Sequence, residues 1–245
     1  MNNLLQALRS NHPALAKKLE ENFYEPPHLF GTTITKVALP LSAISQIIDR
    51  ITEANLPPSI HQAVQKRKLS FISGRLCAEK ALEQTGLTNA IVHRHESGAP
   101  KWPAGVRGSI THTNQFACAA VCRFAEVASL GIDSEMIFSD STSNEVQLYC
   151  CTEYEITQFC AAENRNLIAT LLFSAKESLY KTIHPTLNRY VDFKEVEVAS
   201  IDWNASTFHM QSTAGGDLNS LASRCQTYFC ICSGSVHTSV QMHSN

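Results

Sequence analysis

Several things are missing from this sequence, and each absence removes a class of function. There is no basic excess: 20 Lys and Arg stand against 22 Asp and Glu, a formal charge of -2. A non-specific binder of nucleic acid or another polyanion carries surplus cations, so any phosphate bound here must meet a local cluster. The opening residues, MNNLLQALRSNHPALAKKLEEN, lack a basic segment followed by a long apolar one, and no later run approaches the length that spans a bilayer. A soluble, cytoplasmic protein without a membrane span is expected. The nine cysteines are odd in number and include no C-x-x-C and no pair of zinc knuckles. They read as reduced thiols, most of them among apolar neighbours as in FACAAVC, where Cys acts as a small hydrophobe.

What is present fits a chain of two domains. A length of 245 residues can bury a sizeable core as one large domain or as two of about 120 residues, and two are expected. Residues 59–82 show helical periodicity, with Leu69, Ile72, Leu76 and Ala78 on an apolar face and a basic face opposite. AIVHRHE then reads as a strand, SGAPKWPAG as a Gly/Pro-rich loop, and FACAAVCRF and EVASLGIDSEMI as strands. A polar stretch over residues 139–143 follows, then helices over residues 152–162 and 166–183, the second closed by Pro185. VDFKEVEVAS, TFHMQST and CQTYFCICSGSVHTSVQM alternate as strands of an antiparallel sheet. Each half runs from helices into a small sheet, so the expected class is α/β with two pseudo-symmetric halves, 1–126 and 127–245, meeting near Glu126.

Two short stretches carry acids whose spacing has chemical meaning. In GIDSE, Asp133 and Glu135 are two apart, so in a strand they project to one side. Adjacent carboxylates repel unless a cation lies between them, and oxygen ligands without His or Cys select a hard ion such as Mg²⁺. In LLFSAKESLYKTIHP, Glu177 and Lys181 stand one helical turn apart on one face. Alone, the strand pair reads equally as a solvated strand end, and Glu177 with Lys181 as a stabilising ion pair. Together they make Glu177 a third metal ligand and place Lys181 one turn away, where it meets phosphate charge. His93 and His95 in HRH lack a third ligand and read as strand, while Trp102 between Pro100 and Pro103 reads as a packed loop anchor.

GIDSE followed by FSAKESLYK resembles the signature of the Sfp-type 4'-phosphopantetheinyl transferases, in particular the subgroup of enterobactin synthase component D. SGAPKWPAGVRGSITHTNQFACAAV and KRKLSFISGRLCAEKAL resemble two further blocks of that subgroup, and the four occur in the family's order from about Lys66 to Lys181. Ser70 departs from a frequent Glu in the Arg helix. Asn114 and Gln115 stand where glycine is common; Asn tolerates left-handed geometry, which lets a turn survive there.

The resemblance implies a Mg²⁺-dependent transferase that moves 4'-phosphopantetheine from coenzyme A to a serine of an apo acyl, peptidyl or aryl carrier protein, releasing adenosine 3',5'-bisphosphate. It implies that Asp133, Glu135 and Glu177 hold Mg²⁺, that Glu177 and Lys181 assist proton transfer, and that Lys181 contacts phosphate. It also implies that His112, with Thr111 beside it, meets the 3'-phosphate of coenzyme A, and that Arg67, Arg75 and Arg94 supply further phosphate or adenylate contacts. The cofactor expected is Mg²⁺, with coenzyme A as co-substrate in a cleft between the halves; the partners expected are carrier domains and no nucleic acid, and the expected state is a monomer. Siderophore peptide synthesis is the first pathway implied, with polyketide or polyunsaturated fatty acid synthesis as alternatives. A non-catalytic protein that binds coenzyme A and a carrier, or a metal-dependent nucleotide hydrolase, are the rival classes.

Overall fold

The computed structural model describes residues 3–26, 34–45, 47–51, 56–123, 127–160 and 163–243. The chain divides into two compact units, with the change falling after Arg123. The expected boundary at Glu126 lies outside the described residues.

The first unit opens with two short helices, α1 (Leu4–Asn11) and α2 (Pro13–Glu20). Then come β1 (Thr35–Pro40), α3 (Leu41–Ser45), α4 (Pro58–His61) and α5 (Gln65–Gln84). A two-residue ladder of β2 (His93–Arg94) with β3 (Pro100–Lys101) precedes β4 (Val106–His112) and β5 (Phe116–Arg123). The three long strands form an antiparallel sheet in the order β1-β5-β4. One face of this sheet, with Val37, Leu39, Ala117, Ala119 and Val121, packs into a core with Ile72, Leu76, Ala78 and Leu82 of α5. Small residues keep the helix close: a Cβ at Gly74 would stand 2.8 Å from Ile110 of β4. Trp102 is the packed anchor that the sequence suggests, since a Cβ at Gly108 would stand 2.6 Å from its ring.

The second unit begins with β6 (Val127–Met136) and three helices, α6 (Asp140–Cys150), α7 (Glu153–Phe159) and α8 (Arg165–Leu187). A hairpin of β7 (Val196–Asp202) and β8 (Thr207–Ser212), the short α9 (Gly216–Ala222), and β9 (Cys225–Cys232) and β10 (Ser235–His243) complete it. Its main sheet is antiparallel in the order β6-β10-β9. The two units share one internal plan: the first strand pairs with the last, the last with the penultimate, and a long helix comes between first and penultimate in sequence. The class is mixed α/β with small antiparallel sheets.

Three local expectations need correction. The helix over 59–82 is interrupted before Gln65, where Val64 is extended and exposed, because the apolar periodicity that anchors the helix begins only at Leu69. The polar stretch over 139–143, to which the spacing assigns no element, starts a helix: the Ser139 side chain accepts the Thr142 N–H and opens α6, which buries Val146 and Cys150 one turn apart. Pro185 does not close α8. It sits in the last turn, and the helix runs on to Leu187, ending where Asn188 turns left-handed at φ 50°.

Glu79 on α5 makes a pH-dependent tie. Its carboxylate is buried and accepts the backbone N–H groups of Leu4 and Leu5 at 3.0 and 2.8 Å, which anchors the start of α1. Burial pushes its pKa from 4.5 up to about 7, outweighing those two hydrogen bonds and the nearby Arg75. Between these values the folded state holds a proton that the unfolded chain has lost, so this group's stabilisation is full below about 4.5 and declines as pH rises through about 7. Urea midpoints at a series of pH values across that window are expected to fall in the parent protein and to fall less in Glu79→Gln.

Candidate active site

The site in the second unit is built where α8 crosses β6. Ser129, Gly131, Asp133 and Glu135 share one side of the strand, as the two-residue period requires. At Gly131 the helix backbone touches the strand: a Cβ there would stand 2.0 Å from the Ser178 carbonyl and 2.6 Å from Thr182 Oγ1. Only glycine permits that approach. Hydroxyls fill the seam. Ser129 donates to the Thr182 carbonyl at 2.6 Å, and Thr182 Oγ1 reaches the Val240 carbonyl at 3.0 Å. Thr238, paired with Asp133 across β10, meets the Ser174 carbonyl at 2.8 Å and Ser178 Oγ at 3.1 Å. Ser174, Ser178 and Thr182 form one four-residue row on α8, and Glu177 and Lys181 form the row beside it.

This crossing sets Lys181 on Asp133. Lys181 Nζ donates to Asp133 Oδ1 at 2.7 Å and to the Ile132 carbonyl at 3.1 Å. The i,i+4 pair considered in the sequence is not the one formed: among the described residues, Lys181 has its ion pair with the distant Asp133 and not with Glu177. Burial pulls the Lys181 ammonium down, but Asp133, Glu177 and Glu135 together outweigh it and raise its pKa above the ordinary value. Glu135 is pushed up to about 7 by burial first and then by Asp133 and Glu177, with Lys181 opposing. Glu177 is raised by burial, eased by Lys181 and raised further by Asp133. The four groups therefore feel one another as a single electrostatic cluster.

The donor set fits a hard divalent cation. It consists of carboxylates, with no thiolate or imidazole among the expected ligands. Among the described residues, however, no three His, Cys, Asp or Glu side chains converge closely enough to hold an ion as they stand.

Lys176, next to Glu177, answers a different need. It is buried, donating to the carbonyls of Cys150 and Phe193 at 2.8 and 2.9 Å and to Glu155 Oε2 at 2.7 Å. Glu155 in turn accepts N–H groups from Thr152 and Val198, so both buried charges are fully engaged.

The expected coenzyme A contacts lie in the first unit. Arg75 is buried on α5, with its guanidinium 5.1 Å above the Phe71 ring, and its Nη1 has no hydrogen-bond partner among the described residues. Burial lowers its pKa to about 10, with Glu79 opposing and the charge of Arg94 adding to the fall. Arg94 is exposed on β2 and donates to Ser59 Oγ at 2.8 Å and weakly to the Gly98 carbonyl at 3.4 Å. Gly98, at φ 93°, leaves the space that Arg94 occupies, since a Cβ there would stand 2.9 Å from Nη2. A buried guanidinium with an unspent donor beside a second arginine is the local cationic cluster that an anionic ligand requires. Arg67 is exposed two turns earlier on α5; Thr111 is buried near the end of β4 and His112 exposed at it, pointing to opposite sides of the strand. Ser70 bonds back to the Lys66 carbonyl. The turn after His112 is closed by Thr113, whose hydroxyl accepts from Gln115 and Phe116, and not by a left-handed Asn114.

The sequence reading missed the seam. Gly131, Ser174, Ser178, Thr182 and Thr238 hold the helix that carries two of the expected catalytic groups, and a row of hydroxyl residues at four-residue intervals inside an apolar helix was the available signal.

Comparison with known proteins gives matches in both units. Residues 53–122 match the family model of the 4'-phosphopantetheinyl transferase N-terminal domain, and residues 129–231 that of the 4'-phosphopantetheinyl transferase superfamily. The chain is 39% identical over 150 residues to the 4'-phosphopantetheinyl transferase Svp of Streptomyces mobaraensis, covering 61% of each chain. It is 34% identical over 168 residues to the transferase Npt of Nocardia iowensis, covering 65% of this chain and 74% of that one. Enterobactin synthase component D of Salmonella typhi is 30% identical over 62% of each chain. The match thus spans about three fifths of the length of the first of these relatives.

Because the site depends on the helix touching the strand at Gly131, Gly131→Ala is expected to cost about 3 kcal/mol or more, since the obstructing atom is a backbone carbonyl that cannot swing aside. Chemical denaturation followed by circular dichroism measures it, and a loss below 1 kcal/mol would mean that the crossing is looser than described.

Proposed function

Since the chain belongs to the 4'-phosphopantetheinyl transferase superfamily, we propose that it transfers 4'-phosphopantetheine from coenzyme A to a serine hydroxyl of an apo-carrier protein. The observation that carries this reading is the placement of Asp133, Glu135, Glu177 and Lys181 within one electrostatic cluster, from two elements that are far apart in sequence. In the reaction the serine oxygen forms a bond to the phosphorus next to the pantetheine, and the bond from that phosphorus to the bridging oxygen breaks. Adenosine 3',5'-bisphosphate leaves, and the serine proton passes to a base.

Such a step asks for charge neutralisation, alignment and a proton acceptor. Asp133, Glu135 and Glu177 would hold Mg²⁺, which when bound supplies neutralisation of the pyrophosphate charge. Lys181 is the cation of this chain able to follow the charge onto the departing phosphate, and Glu177 is a carboxylate able to accept the serine proton. On the first unit, Arg75 offers its unspent N–H to an anionic oxygen of coenzyme A, with Arg94, Arg67, His112 and Thr111 as further contacts toward the adenylate and its 3'-phosphate.

No helix among the described residues is long and apolar enough to cross a membrane, and a cytoplasmic enzyme acting as a monomer is part of this proposal. The relatives include enterobactin synthase component D, so a carrier domain from siderophore peptide synthesis is the first to test, ahead of polyketide or polyunsaturated fatty acid synthase carriers.

Incubation with coenzyme A, Mg²⁺ and apo-carrier domains, followed by intact mass, is expected to show the pantetheine adduct. Adenosine bisphosphate released without a carrier would point instead to a hydrolase, and coenzyme A binding without either product to a non-catalytic binder. Asp133→Ala is expected to abolish transfer with the fold retained. Arg75→Ala is expected mainly to raise the apparent KM for coenzyme A, by about 1.5–3 kcal/mol for a charge-assisted contact, so that excess coenzyme A restores much of the rate.

A further inference from the structure

Two lysines on one helix are held in contrasting ways. Lys176 gives all three of its N–H groups to oxygens and its side chain is only 1% exposed. Lys181 has acceptors for two among the described residues, Asp133 Oδ1 and the Ile132 carbonyl, and its side chain keeps 28% of its surface. The first is fixed in the core; the second can leave. Its partner cannot, because the Asp133 side chain is only 5% exposed and sits on a central stretch of β6. A positive charge beside a carboxylate so placed offsets the cost of its burial.

We propose that Lys181 is the resident counter-ion of the acid cluster: it occupies Asp133 until a divalent cation displaces it, and that displacement frees the ammonium to meet the phosphate-bearing substrate. The inference rests on the transferase reading only for the identity of that substrate; the competition itself follows from the geometry. An ammonium held by a carboxylate oxygen and a backbone carbonyl has the oxygen surroundings of a hard cation. Both the lysine and the ion draw on the same three acids, so one charge must yield to the other. Metal binding and release of Lys181 are thereby coupled, and by linkage the ion and the Lys181–Asp133 pair oppose each other equally.

The competition predicts that removing the lysine charge strengthens metal binding while impairing transfer, the reverse of what loss of a ligand would do. Mn²⁺ titration of the full chain, followed by electron paramagnetic resonance, is expected to give a dissociation constant at least about fivefold lower in Lys181→Met than in the parent, and near the parent value in Lys181→Arg. Equal or weaker binding in Lys181→Met overturns the proposal. A second measurement needs no variant: acetylation of Lys181 by acetic anhydride, quantified by peptide mass spectrometry, is expected to rise when Mg²⁺ is added, with Lys176 unreactive throughout. Unchanged or reduced labelling of Lys181 with Mg²⁺ overturns it as well. Intact-mass assay of the parent with an apo-carrier tests the transferase reading separately: pantetheine transfer without the predicted metal competition sinks the counter-ion role alone, whereas competition without transfer leaves it standing and removes the reading of the substrate.

Discussion

The contact between Gly131 and the backbone of α8 is the constraint on which the rest of the second unit depends. A helix normally stands about 10 Å from a sheet because side chains fill the gap. Here there is no side chain at the crossing, and a Cβ would fall 2.0 Å from a helix carbonyl. Such closeness leaves no room for an apolar layer, so the seam is closed by hydroxyls that satisfy one another and the neighbouring carbonyls at full burial. The consequence is reach. Side chains two residues along the strand and one row across the helix come within ion-pair distance, which a conventional spacing would not allow for a short Asp.

The charges of α8 follow from this placement. A buried lysine costs several kcal/mol unless its protons are all accepted, and Lys176 meets that condition through Glu155 and two carbonyls. One residue further, Glu177 turns toward the other side of the helix, into the cluster with Asp133, Glu135 and Lys181. The same short motif thus contains a structural ion pair and a chemically poised group, separated by the 100° step between adjacent helical residues. Around the second the acids are desolvated and crowded: burial first, and then Asp133 and Glu177, push Glu135 up to about 7, with Lys181 opposing.

In the first unit the corresponding long helix lies on its sheet through a conventional apolar face, and its functional content is cationic. Arg75 is desolvated against Phe71, repelled by Arg94 and left with an unused donor. These are costs that a guanidinium at the surface would avoid. The shared strand order of the two units places one long helix on each three-stranded sheet, one bearing acids and the other bearing arginines.

Local periodicity carried much of this protein in plain view. The two-residue step from Asp133 to Glu135, the four-residue step from Glu177 to Lys181 and the apolar face of α5 all depend on neighbours in the chain, and each appears in the fold as its spacing suggests, whereas β10 is buried on both faces and does not alternate. Where local signals conflict, tertiary packing decides. Serines that usually mark a turn opened α6 once Ser139 served as a cap, and Pro185 was accommodated in the final turn of a helix already held by twenty residues of packing. Partner choice was beyond reach, because it is a property of distance in space. Lys181 takes Asp133, 48 residues away, in preference to Glu177 one turn away, and Lys176 takes Glu155, 21 residues away. The first pairing follows from the approach of α8 to β6 at Gly131, and the second from the packing of α8 against Glu155 of α7 and the carbonyls of Cys150 and Phe193, because only packing determines which oxygen lies within reach of which ammonium.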